Sequence, residues 1–339
     1  MDKYTISIDM DQDTVEQLVE NGFSLYAFKA VGTSASSGRP TVWVKTQTFS
    51  LSTKVTWQEQ FAAYTSLTTK LDDGTQIDAA ASYDINLGST LNVNSPSGVG
   101  SVATTGTAGA IDIHNLIDTR FTCGISQTSS AGTNILCALP LFGGHVDVIE
   151  PIEKVLLTFA TDAVNTGTVI YQSFAPALMV DMTGAPGNAR SVKYNIDKNW
   201  VANTDPWATQ YPASTDLAPL LINQNAQLVQ AAQKGLKAIG MRSISAAQAD
   251  GAARVDVNNV PEGHYTNVKV TPITGTSGYL TGGTGTMSSI GVFSCGDFAS
   301  NDFPKIDDQS TIIATNSATG RLYQFGAKCT HAGKTSDYK

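Results

Sequence analysis

The chain has 339 residues, 29 of them acidic and 21 basic, which gives a formal net charge of -8. Only 15% of the residues are charged, against roughly 25% in an average soluble domain, so uncharged polar side chains must cover much of the surface. The acidic balance disfavours nucleic acid as a partner, because no run of Lys or Arg offsets the repulsion from phosphates.

The first residues predict a strand followed by a short helix. Apolar and polar residues alternate over residues 4–9, which is the period of a half-buried strand. Asp11 or Asp13 is then placed to cap a helix that carries Leu18 and Val19.

A long β-rich region follows the helix. Residues 54–58 and 90–94 alternate in the same way as the first strand. Turn-forming clusters of Gly, Pro, Asp, Asn and Ser divide this region into short segments. The pattern predicts strands at residues 23–31, 77–87, 111–114, 146–149, 155–159, 169–174, 178–182 and 192–196. Short strands at such spacing are typical of a sandwich or barrel.

One substantial helix is predicted within residues 224–250. This segment is rich in Ala, Gln, Leu and Lys, and its apolar residues, among them Leu228 and Ala232, recur at helical spacing. The chain returns to β-type sequence after it. We therefore expect a mainly β protein, an antiparallel β-sandwich or elongated sheet body with one helical insert. Its organisation is predicted as a β-rich domain over 1–218, a helical connector over 219–250 and a smaller β-rich region over 251–339, which can also pack as part of one domain.

The chain predicts neither a secretion signal nor a membrane helix. Its first four residues lack the basic segment and apolar segment of a signal peptide, and no stretch approaches ~18 continuous apolar residues. We expect a cytoplasmic protein, or one released without a classical signal, and the sequence leaves the location open.

No catalytic residue, metal site or cofactor is predicted. The acidic run Asp9, Asp11 and Asp13 has the spacing of a calcium-binding loop, but Thr14 stands where such a loop needs Gly. The four histidines show no metal-binding spacing. An enzyme of unrecognised type remains an alternative.

Cys123 and Cys137 flank a turn-rich stretch and are candidates for a disulfide across a hairpin. Free buried cysteines are the alternative, since these are common in chains without an export signal. The same question is open for Cys295 and Cys329.

An aromatic group in a polar segment is the candidate ligand site. Trp200, Trp207 and Tyr211 lie among Asn203 and Asp205. Flat rings beside amide and carboxylate groups suit stacking on sugars, and Trp and Tyr also suit a neutral-lipid surface. The alternative is that the rings cover one end of the β core. Three other aromatic residues are predicted to be core residues: Trp57, Phe61 and Tyr64.

The segment 87–113 is almost uncharged and dominated by small polar residues. Its apolar residues alternate only at its two ends. A membrane-inserting β-hairpin needs strands of about 9–11 residues that alternate and carry little charge. Two alternatives are ordinary strands with long loops and a strand exchanged between subunits. Residues 268–293 have a similar composition.

These observations predict a non-catalytic, self-associating binding protein. Its most specific form is a homo-oligomeric, toxin-like protein that recognises a glycan or lipid surface and forms a β-pore through the segment 87–113. The first alternative is a structural subunit of a filament or shell, in which low-charge segments form the subunit contacts.

Overall fold

The computed structural model describes residues 3–35, 37–201, 205–238, 252–255, 263–272, 280–287, 292–296, 309–317 and 322–329. The chain divides into two compact units, one made of residues 1–141 and 145–236 and the other of residues 142–144 and 237–339. Strands dominate both units, which confirms the prediction of a mainly β protein.

The first unit contains eighteen described strands, three described α-helices and one short 3-10 helix, Pro186–Asn188. Its strands are β1 (Lys3–Asp9), β2 (Ser24–Thr33), β3 (Arg39–Pro40), β4 (Val44–Thr46), β5 (Ser52–Ser66), β6 (Ala81–Ile85), β7 (Ser89–Val93), β8 (Gly100–Ala103), β9 (Ile111–Asn115), β10 (Phe121–Ser129), β11 (Gly132–Ile135), β12 (Cys137–Leu141), β13 (Val146–Ala160), β14 (Ala177–Asp181), β15 (Ala189–Asn195), β16 (Asn199–Trp200), β17 (Ala208–Tyr211) and β18 (Ile222–Gln224). Its α-helices are α1 (Gln12–Glu20), α2 (Ala218–Leu221) and α3 (Ala226–Ala238).

The strands of the first unit form two sheets. The first has the order β16-β15-β1-β5-β10-β12-β3, with β6 on β5 and β11 on β10. The second has the order β17-β14-β13-β9-β7-β8, with β2 on β13 and with β4 and β18 on β2. Most pairs are antiparallel, but β1 with β15, β7 with β9, and β18 with β2 run parallel. The sheets are therefore mixed rather than purely antiparallel, within the predicted sandwich-like fold.

A single large apolar cluster takes its residues from both sheets. Trp57 and Ile125 of the first sheet join Leu91, Ile113 and Leu157 of the second, and all five are at most 1% exposed. Both sheets thus contribute inward-facing apolar side chains to one core, as the alternation predicts. Phe61 and Tyr64 are also buried, which confirms their prediction as core residues.

The first helix forms where the sequence predicts it. The Asp11 carboxylate accepts a hydrogen bond from the Thr14 backbone N–H at 2.8 Å, which caps the helix. Hydrogen bonds from the side chain and the backbone N–H of Thr14 hold the pKa of Asp11 below its ordinary value. Leu18 is buried in the core, whereas Val19 is 58% exposed.

Three predicted β segments differ from the structure. Residues 146–149 and 155–159 are parts of one strand, β13, rather than two. Residues 169–174 form no strand but only isolated bridges, so that prediction is wrong. Neighbouring residues there form hydrogen bonds with different, distant segments. The Val169 N–H donates to the backbone oxygen of Thr75, and the Ile170 N–H donates to that of Pro40. Such long-range pairing leaves no local pattern.

The predicted helix after residue 224 is present as α3, and the predicted residues 239–250 lie outside the described part. Leu228 and Ala232, two of its predicted apolar positions, are buried. Among the described residues, no helix is long and apolar enough to cross a bilayer.

The second unit contains a closed barrel. Its strands are β19 (Ala252–Val255), β20 (Gly263–Pro272), β21 (Leu280–Met287), β22 (Val292–Gly296), β23 (Gln309–Asn316) and β24 (Leu322–Cys329). They pair in the order β19-β22-β21-β20-β23-β24, and β19 also pairs with β24, which closes the ring. The low-charge residues 268–293 contribute to three neighbouring strands of this barrel.

The ends of the segment 87–113 are built into the sandwich core. Leu91 and Val93 of β7, and Ile111 and Ile113 of β9, all have 0% exposure. Burying each such side chain contributes roughly 1.5–3 kcal/mol. The segment is thus anchored at both ends, while β8 lies at the edge of the sheet.

We predict that Leu91→Ala lowers the free energy of unfolding by about 2–5 kcal/mol, because it removes a fully buried side chain and leaves a cavity. The control is Val19→Ala on helix α1, where the side chain is 58% exposed and where the loss should stay within about 0.5 kcal/mol. Urea unfolding followed by circular dichroism measures both. Equal losses would contradict the placement of β7 in the core.

Candidate functional site

Trp200, the first residue of the predicted aromatic group, lies in the core. Its side chain is 3% exposed, and its indole N–H donates to the backbone oxygen of Pro176 at 3.1 Å. Its ring packs against Phe159 and Tyr194, with centroids 5.6 Å and 5.0 Å away. Trp200 therefore has no free ring face on which a sugar can stack in this conformation.

The other predicted ligand residues lie nearer the surface. Asp205 is exposed, and Trp207 and Tyr211 are half-buried. The Arg190 guanidinium lies 4.6 Å from the centroid of the Trp207 ring, so one side of that ring is covered by a cation. Asn203 lies outside the described residues. Ligand binding by this group stays a prediction.

The turn that joins β7 to β8 is fastened to the first sheet. The Thr65 hydroxyl donates to the Gly98 backbone oxygen at 2.8 Å, and the Gly100 N–H donates to the Tyr83 hydroxyl at 2.9 Å. Gly98 has a φ of +83°, and a Cβ there would lie 2.6 Å from the Thr65 hydroxyl oxygen. The hairpin therefore fits tightly against β5 and β6.

The strand β8 leaves one side of the second sheet open. It pairs with β7 alone among the described strands. Val102 lies opposite the buried Leu91 in the register, so both side chains are on the core face of the sheet. Val102 is nevertheless 39% exposed, since no described strand continues the sheet beyond β8. The apolar face of the sheet thus reaches the edge and stops there uncovered.

Exposed apolar side chains are frequent on and beside the last three strands of this sheet. Of the eight large apolar side chains that are exposed in the described part, four lie on or beside β7, β8 and β9: Leu87, Val99, Val102 and Leu116. No charged residue occurs from residue 87 to residue 110. We call β8 with Val99 and Val102 the open edge.

A second feature, which the sequence patterns did not predict, is a lysine buried between the two sheets. Lys29 lies in β2, all ten residues of which are buried, and it has 0% exposure. Its Nζ donates to Oε1 of Gln127 at 2.7 Å and to Oε1 of Glu153 at 2.8 Å. Gln127 belongs to β10 of the first sheet and is also 0% exposed. The contact therefore joins the sheets through the core.

Two β-bulges bring these side chains together. The register of β13 against β2 shifts between Pro151 and Val155, and Glu153 lies within that shift. The register of β10 against β5 shifts directly after Gln127. A bulge turns a side chain away from the direction that regular alternation would give it. Here both bulges direct polar groups into the space between the sheets.

Two tryptophans enclose the lysine ammonium. The Lys29 Nζ lies 5.0 Å from the Trp57 ring centroid and 5.6 Å from that of Trp43. The Trp57 indole N–H donates to Oε2 of Glu153 at 3.1 Å, and the Trp43 indole N–H donates to the backbone oxygen of Gln127 at 3.2 Å. We call these five residues the lysine centre.

Burial controls the chemistry of the lysine centre. Loss of water around the ammonium lowers the pKa of Lys29 to about 8, although the Glu153 carboxylate opposes this shift. At a given pH, a larger fraction of Lys29 is therefore neutral than of an ordinary lysine. A neutral amine is a nucleophile, whereas an ammonium is not. Lysine is almost never fully buried unless it is paired. A lysine within the apolar sequence of β2 was therefore the one signal in the sequence that could have indicated a buried polar centre.

A third buried feature is a hydrogen bond between a thiol and a carboxyl group. Cys123 and Cys137 are both free and buried, and the Cys123 thiol donates to Oδ2 of Asp147 at 3.5 Å. Burial raises the pKa of Asp147 to about 7 and that of Cys137 to about 12, and it also raises the pKa of Cys123. Thiols that stay protonated are poor nucleophiles, so this group does not resemble a reactive-cysteine site.

The remaining predicted positions form no site in the described part. Asp9 and Asp11 bond to neighbouring side chains, Asp9 to Ser52 and Ser191, and Asp11 to Asn195. No group of three or more His, Cys, Asp or Glu side chains among the described residues is arranged to hold a metal.

The chain matches no protein-family model, no curated protein and no solved structure.

We predict that Asp147→Asn stabilises the protein above pH about 7 but not near pH 3.8, the ordinary pKa of Asp. The folded-state pKa is raised, so the unfolded chain releases this proton first and stability falls as the pH rises between those values. The gain on replacement is on the order of 4 kcal/mol at most, for a shift of about three units.

The matched control for this prediction is Asp84→Asn, which changes an exposed carboxyl on β6. Urea unfolding across the pH range measures both variants. Asp147→Asn could instead change the free energy of unfolding by the same amount at every pH. That result would contradict a buried, protonated carboxyl at Asp147.

Proposed function

We propose that the protein is a non-catalytic, self-associating structural protein whose copies join through the open edge of the second sheet. The observation that carries the proposal is Val102, which lies on the core face of β8 but is 39% exposed because the sheet ends there. A second copy placed against the same edge would continue the apolar core. This is the structural-subunit alternative of the sequence analysis, with a specific contact surface.

The composition of the open edge supports association. Edge strands in monomeric proteins are usually protected by charges, Pro, bulges or a covering segment, because an unpaired strand is a template for another chain. The edge strand β3 of the first sheet follows that rule, since it consists of Arg39 and Pro40. The strand β8 contains no charged residue and no Pro, so its short length of four residues is the one such protection within the strand itself.

The rigidity of the open edge also supports association. The hydrogen bonds from Thr65 and to Tyr83 hold the hairpin in place before any partner arrives. A preorganised edge loses less conformational entropy on binding than a flexible one. Pairing of β8 with β8 of another copy would place the same patch on both sides, as in a two-fold dimer.

Membrane insertion of the segment 87–113 has less support. It would require β7 and β9 to leave the core, where Leu91, Val93, Ile111 and Ile113 are fully buried. At roughly 1.5–3 kcal/mol for each side chain, this withdrawal would cost an amount comparable to the whole stability of a typical domain. Insertion and glycan recognition stay predictions from the sequence.

The test is analytical ultracentrifugation of the full chain over a range of concentrations. We predict dimers or larger species, and we predict that Val102→Lys raises the dissociation constant at least tenfold, equal to about 1.4 kcal/mol. A lysine there would bring an ammonium into the apolar contact. The variant should keep its fold, because the position is exposed.

The matched control is Val19→Lys on α1, where the valine is 58% exposed and lies outside the open edge. It should associate like the unchanged protein. A monomer at every concentration would contradict the proposal, and so would Val102→Lys that associates normally. Rings that form only on liposomes would favour the pore hypothesis instead.

A further inference from the structure

We propose that the lysine centre forms an intramolecular cross-link, an isopeptide bond between Nζ of Lys29 and Cδ of Gln127. The side chains belong to different sheets, so the bond would fasten the two sheets of the sandwich covalently. This inference is independent of the proposed association through β8.

The geometry places the reacting groups in contact. Nζ of Lys29 is 2.7 Å from Oε1 of Gln127, and Oε1 is bonded directly to Cδ, the carbon that the amine would attack. The amide is also fixed at its other end, because its Nε2 donates to the Gln58 backbone oxygen at 2.8 Å. Groups held this way react with high effective concentration.

Glu153 is placed to move the protons. Its Oε1 accepts from Nζ of Lys29 at 2.8 Å, and its Oε2 is held by the Trp57 indole N–H at 3.1 Å. The carboxylate can take a proton from the lysine ammonium, which gives the nucleophilic amine and a carboxylic acid. The lowered pKa of Lys29 makes removal of its proton less costly than for an ordinary lysine.

The reaction balances without any other reactant. The neutral amine attacks Cδ, and the carbonyl electron pair moves to Oε1. Nζ loses a proton and Nε2 of Gln127 gains one, the Cδ–Nε2 bond breaks, and ammonia leaves as the carbonyl re-forms. The product is one new amide and one molecule of ammonia.

The surroundings favour this product over hydrolysis. Lys29 and Gln127 both have 0% exposure, so bulk water does not reach the amide carbon. The Glu153 side chain is 20% exposed and marks the route by which ammonia can leave. The cross-link also removes a buried positive charge, which is costly to keep away from water.

The test is the intact mass of the purified full chain, followed by peptide mapping. We predict a mass lower than the sequence mass by one ammonia molecule, and a branched peptide that joins Lys29 to Gln127. Incubation of the folded protein above the pKa of Lys29 should complete the reaction. Lys29→Met and Glu153→Gln should each show the full mass calculated from the variant's own sequence, without the loss of ammonia.

The control is Lys154→Met, which removes the lysine beside Glu153 on β13, where it pairs with Asp181 at the surface. It should keep the ammonia deficit. A folded, unchanged protein that keeps the full sequence mass after incubation would overturn the proposal. A deficit that persists in Lys29→Met would also overturn it, because the loss would then come from another residue. Neither result requires the variants to be stable.

Discussion

The fold of the first unit depends on one constraint, the placement of a lysine amine in a space that water does not reach. Lys29 has 0% exposure between two sheets whose shared core is mainly apolar. An unmatched buried ammonium would cost several kcal/mol. Two bulges place a carboxylate and an amide beside Nζ, and two indole rings flank it. Each of these four groups makes its own hydrogen bond. Four of the five residues lie on β2, β5, β10 and β13, and Trp43 lies just before β4.

The lysine centre and the open edge give the sandwich two different properties. At the centre, polar groups from both sheets fix how one sheet lies on the other, and a covalent bond there would make that arrangement permanent. At the edge, the same apolar core ends at Val102 without a covering strand. A rigid body with an uncovered edge is suited to form contacts with copies of itself, and a structural subunit gains most from a cross-link that resists unfolding.

Local signals predicted much of the fold but little of the candidate site. The alternation in β1 and the cap at Asp11 depend on residues close in sequence, and both are present. Trp200 was predicted as a ligand residue because its sequence neighbours are polar, but its contacts are Phe159 and Pro176, far away in the chain. The lysine centre joins Lys29, Gln127 and Glu153 across two sheets through bulges, and register shifts of that kind leave no periodic pattern. The open edge depends on the strand order, which no local pattern specifies.

The most direct test of this account is the nitrogen resonance of the Lys29 side chain in folded protein labelled with ¹⁵N-lysine, assigned through the Lys29→Met variant. The account predicts a single side-chain N–H in the amide region that exchanges slowly with water and does not titrate. A Lys29 signal that titrates with the exposed lysines, near their ordinary pKa of about 10.4, would contradict both the cross-link and the dry centre around which the sandwich is built.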